Sequence, residues 1–208
     1  MAIKAVIFDV DGVLVDSFDA NLRFIQDLLR AARRKPITRA QYRKDGFNRT
    51  LKDVIRIYGS CKTEKEAEGI LRLTNSVSHH YDLLTYPPHL KETIKKISKS
   101  YKLAIVTSRI KTRLKVIFNR SKIDGYFPVV VCYGQYAKPK PDPESLLLAA
   151  RRLRIKPQEA VYIGDSLTDI QAAKAAGMKV ILFSTRRMEG ADRKTATFSE
   201  LPGLIKEL

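Results

Sequence analysis

With 208 residues, 44% of them hydrophobic, the chain is long enough to bury a substantial apolar centre. Its two cysteines, Cys61 and Cys132, stand in unlike contexts that exclude a disulfide framework or a zinc site. The formal net charge of +17 would suit a polyanion, but the basic residues are scattered over the polar faces of predicted helices, with no interleaved aromatics, which argues against nucleic acid as a partner.

The first element ends an apolar run on two carboxylates. Ile3 to Phe8 is rich in β-branched and aromatic residues, as in a strand covered on both faces of a parallel sheet. Asp9 and Asp11 follow at its carboxyl end, where ligands bind in open parallel sheets, and Gly12 permits a sharp turn. Two aspartates one residue apart can divide the work on a phosphoryl group: one attacks phosphorus, the other passes a proton to or from the bridging oxygen. The same pair would also serve as a plain turn.

Asp16 and Ser17 stand where an N-cap belongs, and Phe18, Leu22, Ile25, Leu28 and Leu29 share one face of a helix. Pro36 breaks it, Thr38 caps a short helix through Tyr42, and Asp45 to Thr50 reads as a loop. Leu51, Val54, Ile55 and Tyr58 resume an amphipathic stripe closed by Gly59. Thr63 with Glu66 opens another helix, predicted to reach about Asp82. Residues 17–86 therefore read as an all-helical insert, ended by Tyr86-Pro87-Pro88. Such an insert is a candidate cap over a sheet-edge site.

Beyond it the pattern alternates: helix from His89 to Lys99, strand Lys102 to Val106, helix Lys111 to Asn119, strand Val129 to Cys132, helix Pro143 to Leu153, strand Ala160 to Ile163, helix Leu167 to Ala176 and strand Val180 to Phe183. A short strand near Ala196 to Phe198 and a helix from Leu204 to Glu207 would finish the chain. Repeated strand and helix give an α/β fold, a Rossmann-like parallel sheet core with helices on both faces, built from residues 1–16 and 87–208.

Successive strands deliver polar residues to one edge of that sheet. Thr107, through its hydroxyl and N–H, and Ser108 suit a phosphoryl oxygen. Lys138 would offset the charge of the nucleophile, with Lys140 as the competitor for that role. Asp165 completes an all-oxygen site for Mg²⁺, while Asp169 either joins it or sits behind it.

These residues make the chain similar to the haloacid dehalogenase superfamily, in the branch with a helical cap between the first two motifs, where phosphoglycolate phosphatases and β-phosphoglucomutases lie. The resemblance implies Asp9 as nucleophile, Asp11 as general acid and base, Thr107 as phosphate-binding hydroxyl, Lys138 as charge-balancing base, and Asp165 as a Mg²⁺ ligand. It further implies an aspartyl-phosphate intermediate and a metal bond from the Asp11 carbonyl. Asn21 and Gly164 depart from the mutases, which carry histidine and glutamate there, so a phosphatase of a small phosphorylated metabolite is expected; the alternatives are a mutase, or a basic binding protein with a vestigial site. Arg49 falls in the loop that reads substrate in such caps, and it suits a carboxylate or second phosphate. No apolar run approaches a membrane span and no signal-peptide pattern opens the chain, so a cytoplasmic protein is expected.

Overall fold

A computed structural model describes residues 2–46 and 49–208. Two compact units are present: residues 1–16 with 85–208, and residues 17–84.

The first unit is built on a six-stranded sheet. The strands are β1 (Ala5–Phe8), β2 (Lys102–Val106), β3 (Val129–Val131), β4 (Ala160–Gly164), β5 (Lys179–Phe183) and β6 (Arg193–Thr195), in the order β3-β2-β1-β4-β5-β6 and all parallel. Apolar runs make central strands here because neither face sees water: all four residues of β1 and all five of β4 are buried. Ile7 stands opposite both Ala104 and Tyr162, which fixes the register of the centre.

Its helices are α5 (Leu90–Ser98), α6 (Lys111–Ser121), α7 (Glu144–Leu153), α8 (Leu167–Ala175) and α9 (Leu201–Lys206). α7 lies against β2 and β3, and α8 against β4 and β5. Ile7, Ala104, Leu146, Ala149, Tyr162 and Ala173 belong to the core they enclose. Phe8 instead meets Phe127 edge-on at 5.9 Å and lies 6.4 Å from Phe198.

The second unit contains α1 (Phe18–Ala31), α2 (Arg39–Gln41), α3 (Leu51–Tyr58) and α4 (Glu64–Arg72); its described residues form no strand. Leu28, Leu29, Ile37, Val54, Ile55 and Ala67 lie in its own hydrophobic core. Thr38, Thr50 and Thr63 each accept a hydrogen bond from the backbone N–H three residues on, which satisfies an otherwise orphaned donor at the start of each helix.

Several boundaries differ from expectation. α4 stops at Arg72, ten residues short, and continues only as the 3₁₀ turns Leu73–Asn75 and Tyr81–Leu83. His79 there stacks on Phe24 at 4.2 Å, and His80 Nε2 lies 2.8 Å from Asp27 Oδ2, so tertiary contacts take over from helical ones. After α2 the chain makes a π turn, Tyr42–Gly46, rather than entering a loop at Asp45. Phe47 and Asn48 of that expected loop lie outside the described residues. The last strand is Arg193–Thr195, not Ala196 to Phe198, because Phe198 is drawn into the core against Phe8 and Phe183. The last helix begins at Leu201.

Candidate active site

Asp9 follows β1 directly, and its backbone N–H donates to the Ile163 carbonyl, so pairing with β4 continues one residue past the strand. The carboxylate is fixed by both oxygens: Oδ1 accepts from the Val10 N–H at 2.7 Å and Oδ2 from Lys140 Nζ at 2.9 Å. Lys140 Nζ also donates to Asp169 Oδ1 at 2.6 Å and to the Tyr162 hydroxyl at 3.0 Å. One buried ammonium thus ties the ends of β1, the loop after β3 and the start of α8 together.

Lysine at position 140, not 138, performs this role. Glu144 accepts hydrogen bonds from the backbone N–H groups of Ala137 and Lys138, and this clamp leaves the Lys138 side chain exposed. Two residues later the chain has turned back to the sheet edge, where the Lys140 side chain is only 12% exposed.

Asp169 is 1% exposed and saturated with donors. Oδ1 takes Lys140 and Tyr162, while Oδ2 takes the Asp165 and Ser166 N–H groups and the Ser166 hydroxyl. In return the Ser166 hydroxyl oxygen accepts a capping bond from the Asp169 N–H, which starts α8. Asp169 therefore supports Lys140 from behind. Asp165 is the opposite case, since none of the described residues gives its carboxylate a hydrogen bond. It packs on the backbone of Gly12, where φ is +74° and a Cβ would come within 2.0 Å of Asp165 Oδ2.

Oxygen atoms of Asp9, Asp165 and Asp169 all lie within 4.8 Å of one another. Burial, with Asp169 and Asp11 nearby and Lys140 only partly offsetting them, pushes the Asp9 carboxyl up to about 7. Burial and the neighbouring Asp169 and Asp9 push Asp165 up to about 8. Burial would also raise Asp169, but Lys140, Ser166 and Tyr162 outweigh it and hold the value low. For Lys140, Asp169 and Asp9 overcome burial and keep the ammonium protonated. Carboxylates this close cannot all ionise without a cation. A set of hard oxygen donors, one of them without hydrogen bonds and seated in a cradle that admits only glycine, fits Mg²⁺.

Thr107 is fully buried at the end of β2. Its N–H is donated to the Val131 carbonyl at 3.0 Å, so the expectation that this N–H holds phosphate is corrected; the hydroxyl remains as donor and accepts from the Arg109 N–H. Ser108 is exposed beside it. Arg49 belongs to the second unit, exposed in a bend where its N–H donates to the Gly46 carbonyl at 3.2 Å.

Asp11 carries a partner that sequence reasoning missed. Arg109 Nε donates to its Oδ2 at 2.8 Å and Nη2 to its Oδ1 at 2.5 Å, a bidentate fork between residues 98 positions apart. Tyr162 was missed as well. The one hint in the sequence was a phenol in a strand otherwise wholly apolar, since a buried hydroxyl demands a partner.

Comparison with known proteins bears on this arrangement. The sequence pattern of the haloacid dehalogenase-like hydrolases matches residues 6–183. The pyrophosphatase PpaX of Bacillus velezensis is 29% identical over 187 residues, covering 85% of this chain and 81% of that enzyme. A phosphoglycolate phosphatase of Nitrosospira multiformis is 29% identical over 204 residues, covering 92% and 88%. Among solved structures, a subfamily IA hydrolase of the same superfamily from Geobacter sulfurreducens superposes with a TM-score of 0.76 at 25% identity, covering 98% of this chain and 96% of its own.

Proposed function

The chain belongs to the haloacid dehalogenase-like hydrolases and is a phosphatase among them, and from this we propose that it hydrolyses a small phosphorylated metabolite through a phosphoenzyme formed on Asp9. The observation that carries the reading is the convergence of Asp9, Asp165 and Asp169 within 4.8 Å of one another at the carboxyl edge of the sheet, with Lys140 bonded to Asp9 and Asp169. Relatives named for phosphoglycolate and for pyrophosphate point to a compact, highly charged substrate.

One carboxylate oxygen of Asp9 attacks phosphorus, and the bond from phosphorus to the ester oxygen breaks. Asp11 gives its proton to that leaving oxygen. A water molecule then attacks the aspartyl phosphate while Asp11 takes back a proton, so inorganic phosphate leaves and Asp9 is regenerated. The Thr107 hydroxyl holds a non-bridging oxygen, and Lys140 offsets charge on Asp9 and on the transferring group. Asp9, Asp165 and the main-chain carbonyl of Asp11 would hold Mg²⁺, which when bound neutralises the carboxylates and the phosphoryl oxygens. Lys140 cannot be the attacking group because its ammonium is held protonated between two aspartates.

A hydrolase rather than a mutase is favoured by position 164. A Cβ there would lie 2.4 Å from the Asp169 Cβ, so the glutamate of the mutases cannot be accommodated. Asp9→Asn should fold normally and lose essentially all release of phosphate from an aryl phosphate, and chelation of Mg²⁺ should silence the unaltered protein. Turnover that persists in the variant, or in excess chelator, would defeat the reading.

A further inference from the structure

Tyr162 stands in the cluster around Lys140 without a task in the proposed reaction. It lies at the middle of β4, paired with Ile7 of β1 on one side and Val180 of β5 on the other, and it is fully buried. Phenylalanine would fill the same space with no hydroxyl to satisfy, and burying an unbonded hydroxyl costs about 1 to 3 kcal/mol. Here the hydroxyl is bonded on both counts: it accepts from Lys140 Nζ at 3.0 Å and donates to Asp169 Oδ1 at 3.2 Å. An ammonium has three N–H groups to place. Those of Lys140 are met by Asp9, Asp169 and Tyr162, so the phenol supplies the third acceptor and fixes the rotation of the head group. The oxygen makes this contact rather than the ring, because Nζ stands 5.5 Å from the ring centre.

We propose that Tyr162 is a positioning residue that acts through Lys140: by accepting one N–H of the ammonium it keeps another aimed at Asp9 Oδ2, and so holds the nucleophilic carboxylate facing phosphorus. This inference rests on the phosphatase reading and adds a residue to its machinery. The Asp9 carboxylate is fixed at Oδ1 by the Val10 N–H and at Oδ2 by Lys140. A lysine stem is flexible, whereas the phenol is carried by a strand paired on both sides, so the phenol is the fixed point of the two. With that point removed, the ammonium can turn and Oδ2 is no longer held in one direction. Slight misplacement at a reacting centre slows the chemical step more than it weakens binding. Tyr162 is sealed beneath the cluster, so it reaches the reacting atoms only through the lysine.

The test is a double-mutant cycle on Tyr162→Phe and Lys140→Ala, read by steady-state hydrolysis of an aryl phosphate in Mg²⁺. Tyr162→Phe is expected to lower kcat about two- to tenfold, one ordinary hydrogen bond expressed as a rate, with KM changed by less than about twofold. In the Lys140→Ala background the same substitution should have no further effect, because the group it positions is gone. A role in packing alone does not need the lysine, so an equal fall in kcat in both backgrounds would overturn the inference. An unchanged kcat in Tyr162→Phe would overturn it too, as would a rise in KM with kcat intact. A phenylalanine variant that fails to fold would do the same, since the hydroxyl would then serve the fold. Should Lys140→Ala not fold, Lys140→Met, which keeps an apolar stem, takes its place in the cycle. All of these outcomes leave the phosphatase reading standing. Absence of turnover by the unaltered protein would instead defeat that reading, and this inference with it.

Discussion

At the scale of single residues, Lys140 separates what local sequence carries from what only the fold carries. Lys138 and Lys140 sit in the same alternation of lysine and proline, and composition offers no reason to prefer one. Choice between them is made by Glu144, which turns the backbone of residues 137 and 138 outward, and by the pair of aspartates waiting where Lys140 arrives. Lys140→Ala should therefore reduce kcat by roughly a hundred- to a thousandfold, the usual cost of removing a preorganised charge at the reacting centre. Lys138→Ala should change kcat by less than about twofold, since its side chain is solvated. A reversal of that order in steady-state kinetics would return the role to Lys138. Arg109 lay further out of reach of the sequence. It is one of 39 basic residues, and the partner that gives it meaning is 98 positions away.

At the scale of elements, α7 contains a residue with no compensation for its burial. Ser145 is fully buried near the helix start, and its hydroxyl has no hydrogen-bond partner among the described residues. Ser145→Ala removes an unsatisfied polar group and substitutes a better helix former, so unfolding in urea should require about 1 kcal/mol more. A destabilised variant would mean that the hydroxyl is paired after all. The helices and strands that were legible in sequence are those whose pattern is set by continuous burial: β1, β2 and β4 match because neither face meets water. Errors fall where local pattern and tertiary demand part. The segment after Arg72 keeps a helical rhythm, but two histidines are taken by Phe24 and Asp27. β6 is a polar edge strand at Arg193–Thr195, whereas the expected strand, Ala196 to Phe198, follows the apolar Phe198, which packs on Phe183 instead. The convergence of Asp9, Thr107 and Asp165 was legible because parallel strands must end on a common edge, whereas the side-chain partners that orient them were not.

At the scale of the whole molecule, the parallel sheet concentrates carboxylates that the unfolded chain keeps apart, and this has a consequence for stability. Asp9 and Asp165, with ordinary values of 3.8, rise to about 7 and about 8 in the folded protein. Groups with raised values bind protons more tightly when folded, so their contribution is fully present below about pH 4 and is lost as pH climbs through 7 and 8. Mg²⁺ acts in the opposite direction, because it binds the ionised carboxylates of the folded state and finds no such cluster in the unfolded one. In chelator, Tm should fall as pH is raised from about 5 to 9. With millimolar Mg²⁺ the fall should be shallower, so the gap between the two curves widens with pH. Asp165→Asn should narrow that gap, since it removes the carboxylate seated against Gly12 while keeping its shape. A gap that stays constant across this range, or one that survives the asparagine substitution in full, would mean that the cation binds elsewhere on the protein and that the cluster at the sheet edge is neutralised by protons and Lys140 alone.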